Sequence, residues 1–251
     1  MIILAGVIGA CIGSFLNVVI DRLPVSKNIF ISRSVCEHCK KKIKWYDLIP
    51  IVSFILLSGK CRSCKAKIPT RILLVEVTTA LIFSLLAYMF LPGSFPDFLF
   101  FATMFSLLIP IFFIDLKYGI IPDRILVLIF AVTVVFYLFT SPTLLLNAFI
   151  TGFVTLLFFL FLFVITRQKG IGFGDVKFAF IIGFLLSYPG AIFAIYTAFL
   201  TGAVVSIILI LIGKKRFRKD SVPFGPFLVI GIIMSYIFQD FVKKIFASFG
   251  L

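Results

Sequence analysis

Apolar runs about as long as a bilayer crossing follow one another along most of this chain, joined by short polar links. That pattern restricts the fold more than any single motif. At roughly 20 residues per crossing, the runs fall at about 1–20, 72–91, 98–114, 125–140, 143–166, 176–188, 190–212 and 222–242. The pair meeting at Tyr188, Pro189 and Gly190 reads either as two short spans or as one broken element. The expected class is an all-α polytopic membrane protein of about eight transmembrane helices with a small zinc-binding cytoplasmic loop domain. With 62% apolar residues, 14% charged residues and a mean hydropathy of +1.22, the chain lies outside the range of soluble domains.

A net charge of +14 would point to nucleic acid in a soluble protein. Here the cations cluster between the apolar runs, where they report orientation instead. If residues 21–71 are cytoplasmic, 22 of the 24 Lys and Arg fall on that side, leaving Lys243 and Lys244 outside. The first run has no basic segment before it, and Asp21, Arg22 and Lys27 follow it. It therefore reads as a retained span with its N-terminus outside, not as a secretory signal. Three parts are expected: a first transmembrane helix (1–20), a cytoplasmic zinc-binding loop (21–71) and a transmembrane catalytic domain (72–251). Anionic lipid headgroups account for the basic clusters, including KKRFRK at 214–219, without a nucleic-acid partner.

The polar loop carries Cys36-Glu-His-Cys39 and Cys61-Arg-Ser-Cys64. Two such pairs let four thiolates converge on one zinc ion, each pair gripping through a tight turn. Disulfides are the competing reading, and a reducing cytoplasm disfavours them. With four thiolates and no open position the zinc is structural, holding a loop too small and too charged to build its own core. His38 lies inside a knuckle and reads as a bystander. The stretch WYDLIPIVSFILLSG between the knuckles is apolar enough to lie against the membrane surface or pack on the helices.

Among the spans, Ser14 and Asn17 share a helical face and read as polar contact between packed helices. Cys11 reads as a small buried apolar residue. Glu76, just inside the second span, snorkels towards Arg71 or contributes to the site. Asp123, after Pro122, fits a turn or the first turn of a helix. Asp115, closing SLLIPIFFID, and Asp175, in GIGFGDVK, have no such simple account, since an ionisable group at the edge of a span is costly unless it has a task. The alternating Gly170, Gly172 and Gly174 allow a tight turn or an extended approach to a substrate strand. They do not form a dinucleotide loop, because they follow a span and not a strand. VPFGPF at 222–227, with two prolines and a glycine, suggests a re-entrant or irregular opening to the last span.

Two carboxylates held close share a proton: one activates water while the other protonates or polarises the scissile carbonyl. That chemistry needs no histidine, and a lone histidine excludes an HExxH metalloprotease and leaves no serine–histidine pair outside the cysteine loop. The blander reading makes both aspartates helix caps, and an ion-coupled transporter using the pair is the alternative from another class.

Taken in order, GSFLNVVIDRLP, SRSVCEHC with CRSC, IDLKYGIIPD, GFGDVK and VPFGPF resemble the prepilin peptidases, or type IV leader peptidases, a family of GxGD-type membrane aspartyl proteases. The resemblance implies that Asp115 and Asp175 are the catalytic aspartates, that Gly172 and Gly174 shape the GxGD turn, and that Cys36, Cys39, Cys61 and Cys64 form the cytoplasmic zinc tetrad. It further implies an enzyme of the bacterial inner membrane that cuts the basic leader of prepilins or pseudopilins after glycine. Many members then methylate the new N-terminus with S-adenosylmethionine; a peptidase lacking that activity is a third reading. The residues themselves define no binding site for the methyl donor.

Overall fold

A computed structural model describes residues 1–26, 34–167, 170–212 and 222–248. Lys27, Lys169 and the 214–219 basic cluster lie outside the described residues. Among those described, the fold is helical, with only two isolated backbone bridges, Val35 to Lys42 and Lys60 to Lys67. The helices are α1 (Ile2–Arg22), α2 (Val52–Leu56), α3 (Thr70–Phe90), α4 (Phe95–Tyr118), α5 (Asp123–Thr140), α6 (Leu144–Ile165), α7 (Phe173–Leu211), α8 (Gly225–Ile237) and α9 (Gln239–Ser248).

Six of these are long and apolar enough to cross a membrane, and α8 with α9, bent by 77° at their junction, makes a seventh when taken as one span. At 1.5 Å per residue the 39-residue α7 is about 58 Å long, nearly twice a hydrocarbon core of about 30 Å. It is interrupted where the sequence suggests: Ser187 (φ 51°, ψ −177°) and Tyr188 (φ −78°, ψ 140°) leave the helical region. Backbone carbonyls on both sides of the break take side-chain donors. Tyr137 Oη donates to the Leu185 carbonyl at 2.8 Å, and Ser235 Oγ to that of Gly190 at 2.9 Å. The helical stretches on either side of the break correspond to the two short spans expected there.

Packing divides the chain into two units, Met1–Pro110 and Ile111–Leu251. In the first, α1 lies on α3. Without a hydrophobic force between helices in lipid, close backbone approach over small residues drives such pairing. A Cβ on Gly9 would come within 2.7 Å of Phe83 Cβ, and one on Gly13 within 2.9 Å of the Glu76 backbone. Asn17 Nδ2 donates to the carbonyls of Gly13 (3.2 Å) and Ile72 (3.1 Å), the inter-helix polar contact expected of it. Arg71 pairs with Asp21 at 2.6 Å. Cys11, expected to be buried, is exposed on α1, because the small residues facing α3 turn it outwards. Phe83, Leu86 and Ala102 form a small core beneath Ile12, Phe98 and Phe105.

In the second unit α7 packs against α6 and α8. Thr155 Oγ1 reaches across to the Ala179 carbonyl at 2.9 Å, and Phe130 and Phe149 close on Phe184 with centroids 4.8 and 4.9 Å away. The last span opens on a short non-helical segment and is bent by 77° between α8 and α9. Of its described residues 222–224 are non-helical, and Pro226 sits in the first turn of α8, where its missing N–H costs nothing.

Candidate active site and cysteine cluster

Asp115 lies one turn from the C-terminal end of α4 and is 4% exposed; Asp175 lies in the first turn of α7 and is 8% exposed. Each is held by one backbone N–H. Gly225 N donates to Asp115 Oδ2 at 2.8 Å, and Gly172 N to Asp175 Oδ2 at 3.0 Å. The second contact is one half of a capping box, in which a carboxylate three residues into a helix reaches back to the N-cap amide. The helix-cap reading is thus correct for Asp175 and incomplete, since capping does not require burial. Both lie in the second packing unit, Asp115 closing α4 and Asp175 opening α7. Neither Oδ1 makes a hydrogen bond to another described residue.

The glycines serve close approach. Gly172 is extended (φ −78°, ψ 153°). A Cβ on Gly174 would stand 3.3 Å from Ile121 Cβ, so the turn before α7 is seated on the loop that follows Asp115. A Cβ on Gly225 would fall 2.6 Å from Asp115 Oδ2, closer than such contacts allow. Gly225 escaped sequence reasoning. The signal was its place in VPFGPF, between two prolines at the head of a span, but nothing local connects it to a carboxylate 110 positions away. Asp123 begins α5 as expected, and both its oxygens lie 2.8 Å from Lys177 Nζ. This pair lines an open groove of about 400 Å³ together with Leu126, Phe130, Leu156 and Phe180.

In the first unit the Sγ atoms of Cys36, Cys39, Cys61 and Cys64 lie within 4.8 Å of one another, and that of Cys36 is 3.8 Å from that of Cys64. Four sulfurs about 2.3 Å from one zinc ion would be separated by about 3.8 Å along each tetrahedral edge, so the cluster could hold a metal ion. His38 takes no part. The knuckles repeat one another: Lys40 N donates to Cys36 O (2.9 Å) and Lys65 N to Cys61 O (3.0 Å), with Lys40 and Lys65 both left-handed (φ 57° and 58°). Backbone N–H groups of Cys64 and Ser63 facing the Cys61 sulfur bring its thiol down to about 6. Cys64 accepts from Ala66 N–H, yet burial and the thiols of Cys39, Cys61 and Cys36 push it up to about 11.

Glu76 does not reach Arg71, which Asp21 holds. Its Oε2 accepts from Ile51 N at 2.7 Å, and it is 4% exposed. The Arg62 guanidinium hydrogen-bonded to Asp47 holds that carboxyl below its usual range.

Comparison with known proteins gives these arrangements a family. The model of the Bacterial Peptidase A24 N-terminal domain matches residues 7–90, and that of the Type IV leader peptidase family matches 101–207. A prepilin leader peptidase/N-methyltransferase of Bacillus subtilis (strain 168) is 31% identical over 98% of this chain and 97% of its own length. The chain belongs to the type IV leader peptidase family. Proteins of the same name from Aeromonas hydrophila and Dichelobacter nodosus are each 29% identical, over 93% and 99% of this chain and 89% and 95% of their own lengths. No solved structure is a significant match. The first family match spans all four cysteines and the second spans both aspartates, whereas Gly225 lies beyond both.

Proposed function

We propose that this chain is a prepilin leader peptidase that removes the basic leader of prepilins or pseudopilins after glycine, at the cytoplasmic face of the bacterial inner membrane, with Asp115 and Asp175 as its catalytic pair. The observation that carries this reading is the pair itself: two buried carboxylates, each pinned through Oδ2 by a single glycine N–H, with Oδ1 left over on each. Like charges so placed do not ionise together, so one proton is shared between them. The ionised member takes a proton from water, and the water oxygen attacks the carbonyl carbon of the scissile glycine. The neutral member gives its proton to the carbonyl oxygen. Collapse of the tetrahedral adduct expels the new amino terminus, which takes up a proton, and the carboxylates return to one-proton sharing. Gly172 and Gly225 act by fixing the Oδ2 atoms, so that only the free oxygens face the substrate.

Cys36, Cys39, Cys61 and Cys64 would hold a structural zinc ion, consistent with their mutual spacing. Methylation of the new terminus, drawing on S-adenosylmethionine, rests on the names of the relatives. The same names favour the peptidase over an ion-coupled transporter.

The test is cleavage of a prepilin-like substrate by membranes carrying wild type, Asp115→Asn or Asp175→Asn at equal, inserted levels. Each variant is expected to lose at least about a hundredfold in rate, the scale of acid–base catalysis by a positioned side chain. Full activity in either would remove that residue from the chemistry. Mass analysis of the product terminus separately decides methylation.

A further inference from the structure

Residues 45–57, between the two knuckles, present an apolar surface that nothing in the catalytic reading uses. Trp45 is 78% exposed, Ile55 64% and Leu56 77%, with Leu48, Ile49 and Val52 also exposed. The position of this segment is set by the bond from Ile51 N to Glu76 Oε2. Glu76 is the seventh residue of the spanning helix α3, about 9 Å along its axis at 1.5 Å per residue. The backbone around Ile51 is therefore level with the second turn of a membrane span. Around the segment, seven lysines between Lys40 and Lys67 are all exposed, against only Glu37 and the Arg62-paired Asp47. Apolar side chains with a tryptophan at span depth, ringed by lysine, match one surface: the interface of an anionic bilayer, where acyl chains take the first and phosphates the second.

We infer that residues 45–57 form an interfacial anchor for anionic lipid, with Trp45, Ile55 and Leu56 among the acyl chains and the knuckle lysines at the phosphates. The anchor holds the cysteine module down on the membrane. A knuckle pair standing free in the cytoplasm would need neither the apolar face nor the Glu76 clasp. The inference is independent of the peptidase reading.

Trp45 is the only tryptophan in the chain, so the emission of the full-length protein reports this segment alone. In vesicles of phosphatidylcholine, with and without phosphatidylglycerol, its emission should be blue-shifted, shielded from acrylamide and quenched by lipids brominated near the headgroup end of their chains. Quenching should be stronger with phosphatidylglycerol and should be lost in the double variant Ile55→Glu, Leu56→Glu. Water-like emission open to acrylamide and indifferent to brominated lipid would overturn the anchor, and so would emission shielded from both quenchers, which would mean a protein cover. Equal quenching in the two lipid mixtures would overturn the anionic preference. If the double variant does not insert, the wild-type lipid comparison decides alone.

Discussion

Cys36 and Cys64 stand 28 positions apart, whereas Asp115 and Gly225 stand 110 apart. The cysteine module is assembled locally: each pair sits in one tight turn, the turns copy one another, and two backbone bridges close them. The carboxylate pair is assembled from the ends of three helices, α4, α7 and α8, and each carboxylate depends on an amide from a glycine. A local site needs only its own short stretch. A dispersed site needs the packing of a whole membrane unit to bring its parts together, and it tolerates less error in any one of them.

Metal removal should separate the two kinds of site most sharply. Structural zinc contributes about 10–16 kcal/mol to the folding of isolated zinc-finger peptides, so Cys36→Ser or chelation should release about one metal equivalent per chain and open residues 34–68 to limited proteolysis. Residues 173–211 should keep their hydrogen-exchange protection. Loss of protection in both would show that the second unit leans on the first. Gly225→Ala attacks the dispersed site instead. The added Cβ would sit 2.6 Å from Asp115 Oδ2, and displacing a catalytic group by about 1 Å costs on the order of a hundredfold in rate. Cleavage assays should show that loss with metal content unchanged, and a fully active variant would mean that α8 gives way without moving Asp115.

Glu76→Leu should have a smaller effect. It leaves the part-buried Ile51 N–H without its acceptor, a loss of up to about 1–3 kcal/mol, read as faster hydrogen exchange at Ile51. Glu76→Gln retains an acceptor and should exchange close to wild type. Smallest of all is Lys177→Met. Its partner Asp123 has a side chain 64% exposed, and ion pairs of that kind contribute about 0.2–1 kcal/mol. Thermal stability should barely change; a large loss would mean that the pair also orders the turn before α7.

The local site was the more legible. Paired CxxC knuckles announce a tetrahedral ligand set because ligand spacing is imposed within a few residues. The aspartates were legible for another reason, the expense of a carboxylate at the end of an apolar run. The sequence also located the interruption near Tyr188, through its proline and glycine. Glu76 was misjudged: Arg71 is the nearer cation in sequence, but Asp21 takes it, and Glu76 turns to a backbone amide from the loop. Cys11 was misjudged because its run is apolar all round, so hydropathy could not say which face the helix pair buries.

What the chain determined by itself is its solvent and its units: apolar length sets the helical segments, because a helix pairs its own backbone groups in lipid, and the cysteine spacing sets the four-thiol cluster. Tertiary structure alone decided which amide meets which carboxylate. The Gly225 contact to Asp115 and the Ile51 contact to Glu76 are made by backbone N–H groups, which every residue but proline carries. Their pairing is fixed by where helices end in space, and one-dimensional spacing carries no record of that.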